Sequence, residues 1–297
     1  MADIAGMQDI RSIHIDRSVK GYAEEDDQPM NGLFVQKTTS AREIRWFQKT
    51  AGFLDTTDTT GITATQIDFV AHGALPDQAG NSFTKNVSYA KQYALRSQML
   101  SLADIKDNDV DLFNQELRDI TRAVNRRKHV RIWNILTESQ SASLINSTTT
   151  TSVGGDQWDA ASGLNPIEDI YDALRQIAVN NYDISNAVLL VSPKDYMSLA
   201  VYIYNQGAQA PQRGQDMSEG KRLTEVAGCR VVVSNIVTAD YAAVFIPNKA
   251  LTWYSFEEIT GDVTEFKGVG REIIVWLWGE AVLTDPKAVT LIIDTQT

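Results

Sequence analysis

The stretch Phe83–Phe113, "FTKNVSYAKQYALRSQMLSLADIKDNDVDLF", decides how this chain is read. It opens with strict alternation. Phe83, Lys85, Val87, Tyr89, Lys91, Tyr93 and Leu95 fall on one face of a strand, and Thr84, Asn86, Ser88, Ala90 and Gln92 on the other. It closes on aspartates, which suit the N-terminal end of a helix dipole. Upstream, "LPDQAGN" at Leu75–Asn81 is rich in turn formers, so Gly61–Arg96 reads as two strands around a turn. Downstream, "RDITRAVNRRKHVRIWNIL", Arg118–Leu136, reads as the longest helix. At about 100° per residue, Phe113, Leu117, Ile120 and Val124 share one face, and Arg118, Arg122, Arg126 and His129 lie nearly opposite as a stripe. Arg127 and Arg131 lie nearer the apolar edge, placed for neighbours rather than open solvent.

That stripe belongs to an acidic chain. The 297 residues carry a formal net charge of −11, which suits solubility and repels free nucleic acid. The hydrophobic fraction of 43% supplies ample core for one large domain or two modest ones. A single cysteine, Cys229, rules out an internal disulfide framework, and its apolar context marks it as a small buried residue. The start "MADIAGMQDIRSIHIDRSVKGYAEEDDQPM" has no apolar core region, so no signal peptide is expected. No stretch approaches the roughly 20 apolar residues of a membrane span, so no membrane partner is expected and synthesis is expected in the cytoplasm.

Outward from the opening stretch the chain divides further. Residues 1–36 are polar, with "EEDD" at Glu24–Asp27, and read as an arm that does not fold alone. Asn134–Gly163 becomes Ser/Thr/Gly-rich and reads as a connector. A second lobe begins at "NPIEDIYDALRQIAVNNYD", where Asn165 can cap, Pro166 fits the first helical position, and Ile167, Ile170, Tyr171, Leu174, Ile177 and Ala178 form an apolar face. "AVLLV" is a buried strand, and "SPKDYMSLAVYI" repeats the cap logic with Ser192, Pro193 and Asp195. "YNQGAQAPQRGQDMSEG" is a polar, glycine-rich loop. "CRVVVSNIV", "AAVFI", "REIIVWLWGEAVL" and "AVTLIID" are further strands. The fold class is α+β with mixed sheets.

No catalytic constellation stands out. "DNDVD" resembles a calcium loop from Asp107, but position six is Leu112 and position twelve is Arg118, so it fails both tests. His14, His72 and His129 have no companions at metal-ligand spacing. Ser192 lacks a nucleophile elbow and reads as a helix cap. There is no phosphate loop, and "GVG" at Gly268–Gly270 reads as a turn. Trp276 and Trp278 read as core. No catalytic residue, cofactor or metal is expected.

The order of elements resembles the major capsid proteins of tailed phages, the Hong Kong 97-type fold, over nearly the whole chain. Phe83–Phe113 looks like the return strand of the extended loop running into the spine helix. "LNPIEDIYDALRQI" with "NYDISNAVLLVSPKDYMSLA" looks like the axial domain's helix, strand and helix, and "LTEVAGCRVVVSNIV" like its next strand. "EFKGVGREIIVWLWGEAVLTDPKAVTLIID" looks like the closing strands of the peripheral domain. The resemblance implies an N-terminal arm at 1–36, an extended loop region at 37–96, a peripheral domain at 97–163 and 256–297, and an axial domain at 164–255.

It also implies a function: a structural subunit that assembles into hexamers and pentamers of an icosahedral shell around double-stranded DNA. Such a subunit is located in the virion capsid and assembled in the host cytoplasm. The expected partners are further copies of itself, a separate scaffolding protein (only a short arm precedes the extended loop), a portal, a decoration protein and, without sequence specificity, the packaged DNA. Lys85, Val87, Tyr89, Lys91 and Tyr93 are expected at subunit contacts. Arg118, Arg122, Arg126 and His129 are expected to face scaffold or DNA inside the shell. Gly207, Gln209, Pro211 and Arg213 are expected in a loop at the capsomer axis. Covalent cross-linking is not expected, because 256–297 holds no asparagine to join Lys85 or Lys91. Two alternatives stay open: an encapsulin-type compartment shell and a soluble hydrolase.

Overall fold

The longest helix, α1, spans Leu112–Ser141. Ile120 and Val124 of its expected inner face are buried, and Phe113 and Leu117 pack against the same core. Beyond Lys128 the buried positions spread to both sides of the helix and include His129, Ile132, Trp133, Ile135 and Leu136. The second side is covered partly by Met30, Leu33 and Phe34, which join the same core. Burying each large aliphatic side chain here contributes about 1.5–3 kcal/mol.

The computed structural model describes Met30 and residues 32–51, 72, 82–102, 105, 112–150, 156–160, 162–205 and 223–296. The expected turn Leu75–Asn81 and nearly all of the arm 1–36 lie outside them. Before α1 come strands β1 (Val35–Thr38), β2 (Glu43–Ala51), β3 (Ser82–Tyr89), β4 (Lys91–Arg96) and β5 (Leu100–Ser101). After it come β6 (Asn146–Thr149), α2 (Pro166–Val179), β7 (Val188–Val191), α3 (Pro193–Asn205), β8 (Glu225–Val226), β9 (Cys229–Val233), β10 (Tyr241–Phe245), β11 (Leu251–Phe266), β12 (Gly270–Leu283) and β13 (Val289–Ile293).

The first sheet runs β1-β11-β12-β4, with β5 also on β12. Its spine is the hairpin β11–β12, turned at Gly268, whose φ of +78° suits glycine. Gly279 is fixed by packing instead: a Cβ there would stand 2.4 Å from Trp253 Cζ2. The second sheet runs β6-β13-β10-β7-β9-β8. Its two faces feed two cores. Val188, Leu190, Ala243, Phe245, Val289 and Leu291 join the core under α1, while Leu189, Val191, Ala242, Val244 and Ile292 join one with α2 and α3.

β3 pairs with β2, whose alternation over Glu43–Ala51 supplies a matching edge; the strand expected from Gly61 lies outside the described residues. β6 and β13, on the far sides of the boundaries expected at 163 and 256, pair within the sheet whose other strands lie in 164–255. Asn165 makes no side-chain cap to α2; its Oδ1 instead accepts from Tyr202 Oη at 3.3 Å. Ser192 does cap α3, accepting the Asp195 backbone N–H at 3.1 Å, as its position predicts.

Candidate functional site

The alternation in Phe83–Leu95 conceals a change of partner. Up to Tyr89 the chain pairs with β2; from Lys91 it pairs with β12. Ala90, 1% exposed, is the pivot, and its N–H reaches Arg42 O at 2.9 Å. The expected contact residues therefore separate into two groups.

The first group stays on the ribbon β2–β3. Lys85 lies opposite Phe47, Val87 opposite Arg45, and Tyr89 opposite Glu43. Directly opposed residues share a face, and this one presents Phe47, Phe83, Val87 and Tyr89, exposed to 65%, 62%, 47% and 57%. On the reverse face Ile44 is buried and Trp46 Nε1 donates to Ser88 Oγ at 3.3 Å. Four large apolar side chains on one exposed ribbon face form a patch of the kind that marks contact surfaces.

The second group joins the first sheet. Tyr93 packs on Trp253 with ring centroids 6.4 Å apart, and burial raises its phenol above the ordinary range. Lys91 Nζ lies 3.2 Å from Glu280 Oε2 of the same subunit. Tyr93 is half-buried against its own subunit, while Lys91 keeps a side chain 59% exposed beside its ion pair. The change of direction at Ala90 carries them from the ribbon into the first sheet.

On α1, Arg118, Arg122 and Arg126 are exposed, with Arg127 beside them. His129 is not part of that surface. It is 0% exposed and edge-on to Phe34, with centroids 5.9 Å apart. Burial, and then the neighbouring Lys128, push its imidazole down to about 4. Lys128 is itself buried, and burial lowers its ammonium; Nζ lies 5.4 Å from the Phe34 ring centroid and 5.7 Å from that of Trp253. The assignment of His129 to the stripe fails because Phe34 folds over the helix there. Arg131 also points home, with Nε 2.7 Å from Glu280 Oε1 and Nη1 2.9 Å from Glu138 Oε1. The expected axis-loop residues Gly207, Gln209, Pro211 and Arg213 lie outside the described residues.

One surface escaped the sequence reading. On α3, Leu199, Ala200 and Ile203 enter the core, yet Met197, Val201 and Tyr204 on the other side are 65%, 58% and 56% exposed. The signal was present: after Asp195 the helix contains no charged residue. Beside this stripe a cleft of about 510 Å³ is lined by Trp158, Leu164, Ser198 and Tyr202 among others. Nearby, buried Asp169 accepts from Trp158 Nε1 at 2.8 Å, and burial raises its carboxyl to about 6.

Among the described residues no cluster of three or more His, Cys, Asp or Glu could hold a metal ion. No helix among them is long and apolar enough to cross a membrane.

Comparison with known proteins adds the following. A family model described as phage capsid protein matches residues 89–292. No curated protein matches the chain. Among solved structures, one from Mycobacterium phage Che8 matches with a TM-score of 0.68 and 13% identity, over 98% of this chain and 100% of that one. The capsid of the cyanophage P-SCSP1u matches with a TM-score of 0.69 and 12% identity, over 96% and 92%. The holo-SrpI encapsulin complex of Synechococcus elongatus matches with a TM-score of 0.61 and 9% identity, over 96% and 94%. The fold is the Hong Kong 97-type capsid fold.

Proposed function

This chain belongs to the phage capsid protein family and is a shell subunit of a virion capsid; we propose that it closes that shell as hexamers and pentamers around double-stranded DNA. Its role is structural. In this reading the subunit is made in the host cytoplasm and assembles around a separate scaffolding protein, with a portal and a decoration protein completing the particle. The family match over residues 89–292 carries the reading.

The ribbon face supports a role for Lys85, Val87 and Tyr89 against a neighbouring subunit. A two-stranded ribbon is marginal in water on its own, and this one turns Phe47, Phe83, Val87 and Tyr89 outward. Arg118, Arg122 and Arg126 support a second contact, on the shell's inner side, with an acidic scaffold first and DNA phosphates later. No groove-reading motif is present, so contact with DNA is non-specific. Residues 164–255 serve as the axial domain, and the loop containing Gly207, Gln209, Pro211 and Arg213 gathers at the capsomer axis.

Negative-stain microscopy of the purified protein, with and without the product of a neighbouring scaffold gene, tests the reading. Closed shells or capsomer rings are expected. A compact monomer with a substrate-dependent activity would overturn it, and shells that enclose enzyme cargo instead of DNA would move the chain to the encapsulin type.

A further inference from the structure

Resting on the shell reading, the geometry points to the outer stripe of α3 as a subunit interface, covered in the ring by the β6 edge of a second copy. The stripe is Met197, Val201 and Tyr204, at helical spacing of four and three residues. A helix that is apolar all round is ordinarily buried. In the single subunit only one side of α3 is. Lys194, three residues before Met197, is drawn aside to Asp159 at 2.6 Å, and no charged residue follows Asp195 in the helix, so the stripe itself is free of charge. Alongside it runs the cleft floored by Trp158 and Leu164, able to accept an apolar side chain.

The same lobe carries a complementary patch on its other side. In the second sheet β6 is the edge strand farthest from β9 and β8, and α3 is the crossover between the parallel strands β7 and β9. At the β6 edge Leu144 and Val179 are 63% and 58% exposed. Thr148 Oγ1 bonds Asp172 at 2.8 Å, and Gln176 Nε2 bonds Ser147 O at 3.4 Å. These bonds step backwards along β6 and forwards along α2, bringing the start of β6, with Leu144, to the end of α2, with Val179.

Both rims carry charge. Arg175 stands one helical turn before Val179, with its side chain 71% exposed and its guanidinium paired with Asp172. Asp156 is exposed and held by Gly163 on the cleft wall, N to O 3.0 Å. Two different patches on two sides of one lobe make a head-to-tail contact, and head-to-tail contacts generate rings where the rotation closes. A second copy supplies both the apolar knob and the charged rim; an unrelated partner accounts for only half of this arrangement.

The chain's single cysteine, Cys229, is buried, so introduced thiols report cleanly. V201C is labelled with a water-soluble maleimide in free subunits and in assembled shells, and V201C paired with L144C or V179C is oxidised during assembly. The expected result is labelling in free subunits, at least tenfold slower labelling in shells, and a non-reducing ladder of covalent oligomers that stops at ring size. Covalent dimers from V201C alone would show a face-to-face contact and overturn the proposal. Protection already in the free subunit would mean that the chain covers its own stripe. Protection on assembly with no cross-link to L144C or V179C would overturn the choice of opposing edge. Shells that form normally while V201C stays reactive would sink this interface and leave the shell reading standing, whereas failure of the parent chain to assemble would sink both.

Discussion

Arg131 on α1 places its Nε 2.7 Å from Oε1 of Glu280 on β12, a carboxylate whose side chain is 4% exposed. Lys91 of β4 approaches the other oxygen at 3.2 Å, close enough to pair but not aligned as a hydrogen bond. The buried carboxylate thus ties the helix to two strands of the first sheet. Removing one partner of a buried pair leaves an uncompensated charge, whereas removing both does not. Arg131→Met should cost about 3 kcal/mol in denaturant unfolding of free subunits, the lower end of the usual range because Lys91 remains. The double variant Arg131→Met, Glu280→Met should recover most of that loss. Equal losses in the single and double variants would show that packing, not charge, holds this joint.

Val87 and Tyr89 face away from the subunit's own core. Changing both to serine should shift stability by no more than about 0.5 kcal/mol, as for exposed positions generally. Assembly should fall sharply, because the lost contact repeats at every subunit. Melting curves of free subunits and sedimentation after assembly measure the two effects. A large drop in melting temperature with normal shells would place the ribbon's apolar face against its own subunit.

Replacing Arg118, Arg122 and Arg126 with glutamine should leave the melting temperature nearly unchanged and lower scaffold-dependent assembly or genome retention. Packaged DNA per particle, read from the ratio of absorbance at 260 and 280 nm, is the decisive quantity. Full particles at normal yield would remove the stripe from any inner-surface role.

The surroundings of Asp169 favour its protonated form: its carboxyl rises from 3.8 to about 6, chiefly through burial. A raised carboxyl favours folding while it is protonated, so its contribution is lost as pH climbs from about 4 through 6. Asp169→Asn keeps an acceptor for the Trp158 indole without a charge. It should stabilise the subunit by up to ~3 kcal/mol at pH 7.5 and by almost nothing at pH 4. A gain that does not depend on pH would assign the effect to something other than ionisation.

His129 titrates in the opposite sense. Its imidazole falls from 6.5 to about 4, so the neutral ring fits the fold and the charged ring does not. Stability from this site is complete above about pH 6.5 and declines as pH falls toward 4. Replacing His129 with leucine should flatten that part of the pH profile, read as the difference between variant and parent at each pH. An unchanged acid limb would show that Phe34 tolerates the imidazolium.

Several of these features were legible in the sequence, and the others have identifiable reasons for escaping it. The inner face of α1 followed from Phe113, Leu117, Ile120 and Val124, because a 3.6-residue period survives translation into structure. His129 did not, because its burial comes from Phe34, far away in sequence and carrying no periodic signal. The alternation from Phe83 to Leu95 correctly marked extended chain. It could not mark the break at Ala90, since side chains alternate in the same way whichever strand is the partner. Partner choice is non-local, and for the same reason the pairing of β3 with Glu43–Ala51 was missed. The outer stripe of α3 was written in the absence of charge after Asp195, but reading it required knowing which side the core had already taken.

The arrangement of the two sheets bears on when a nascent chain can mature. Each pairing in the first sheet involves β11 or β12, and β13 lies between β6 and β10 in the second. Ribosomes deliver about 5–20 residues per second, so α1 and the β2–β3 ribbon emerge well before the strands on which they depend. Until residues 251–293 have left the exit tunnel, neither sheet is whole, and the apolar side of α1 waits uncovered. Prematurely terminated or clipped chains therefore cannot present a finished lobe to their neighbours. Translation itself acts as an inspection step, excluding incomplete molecules from a lattice in which one defective tile would be surrounded by sound ones.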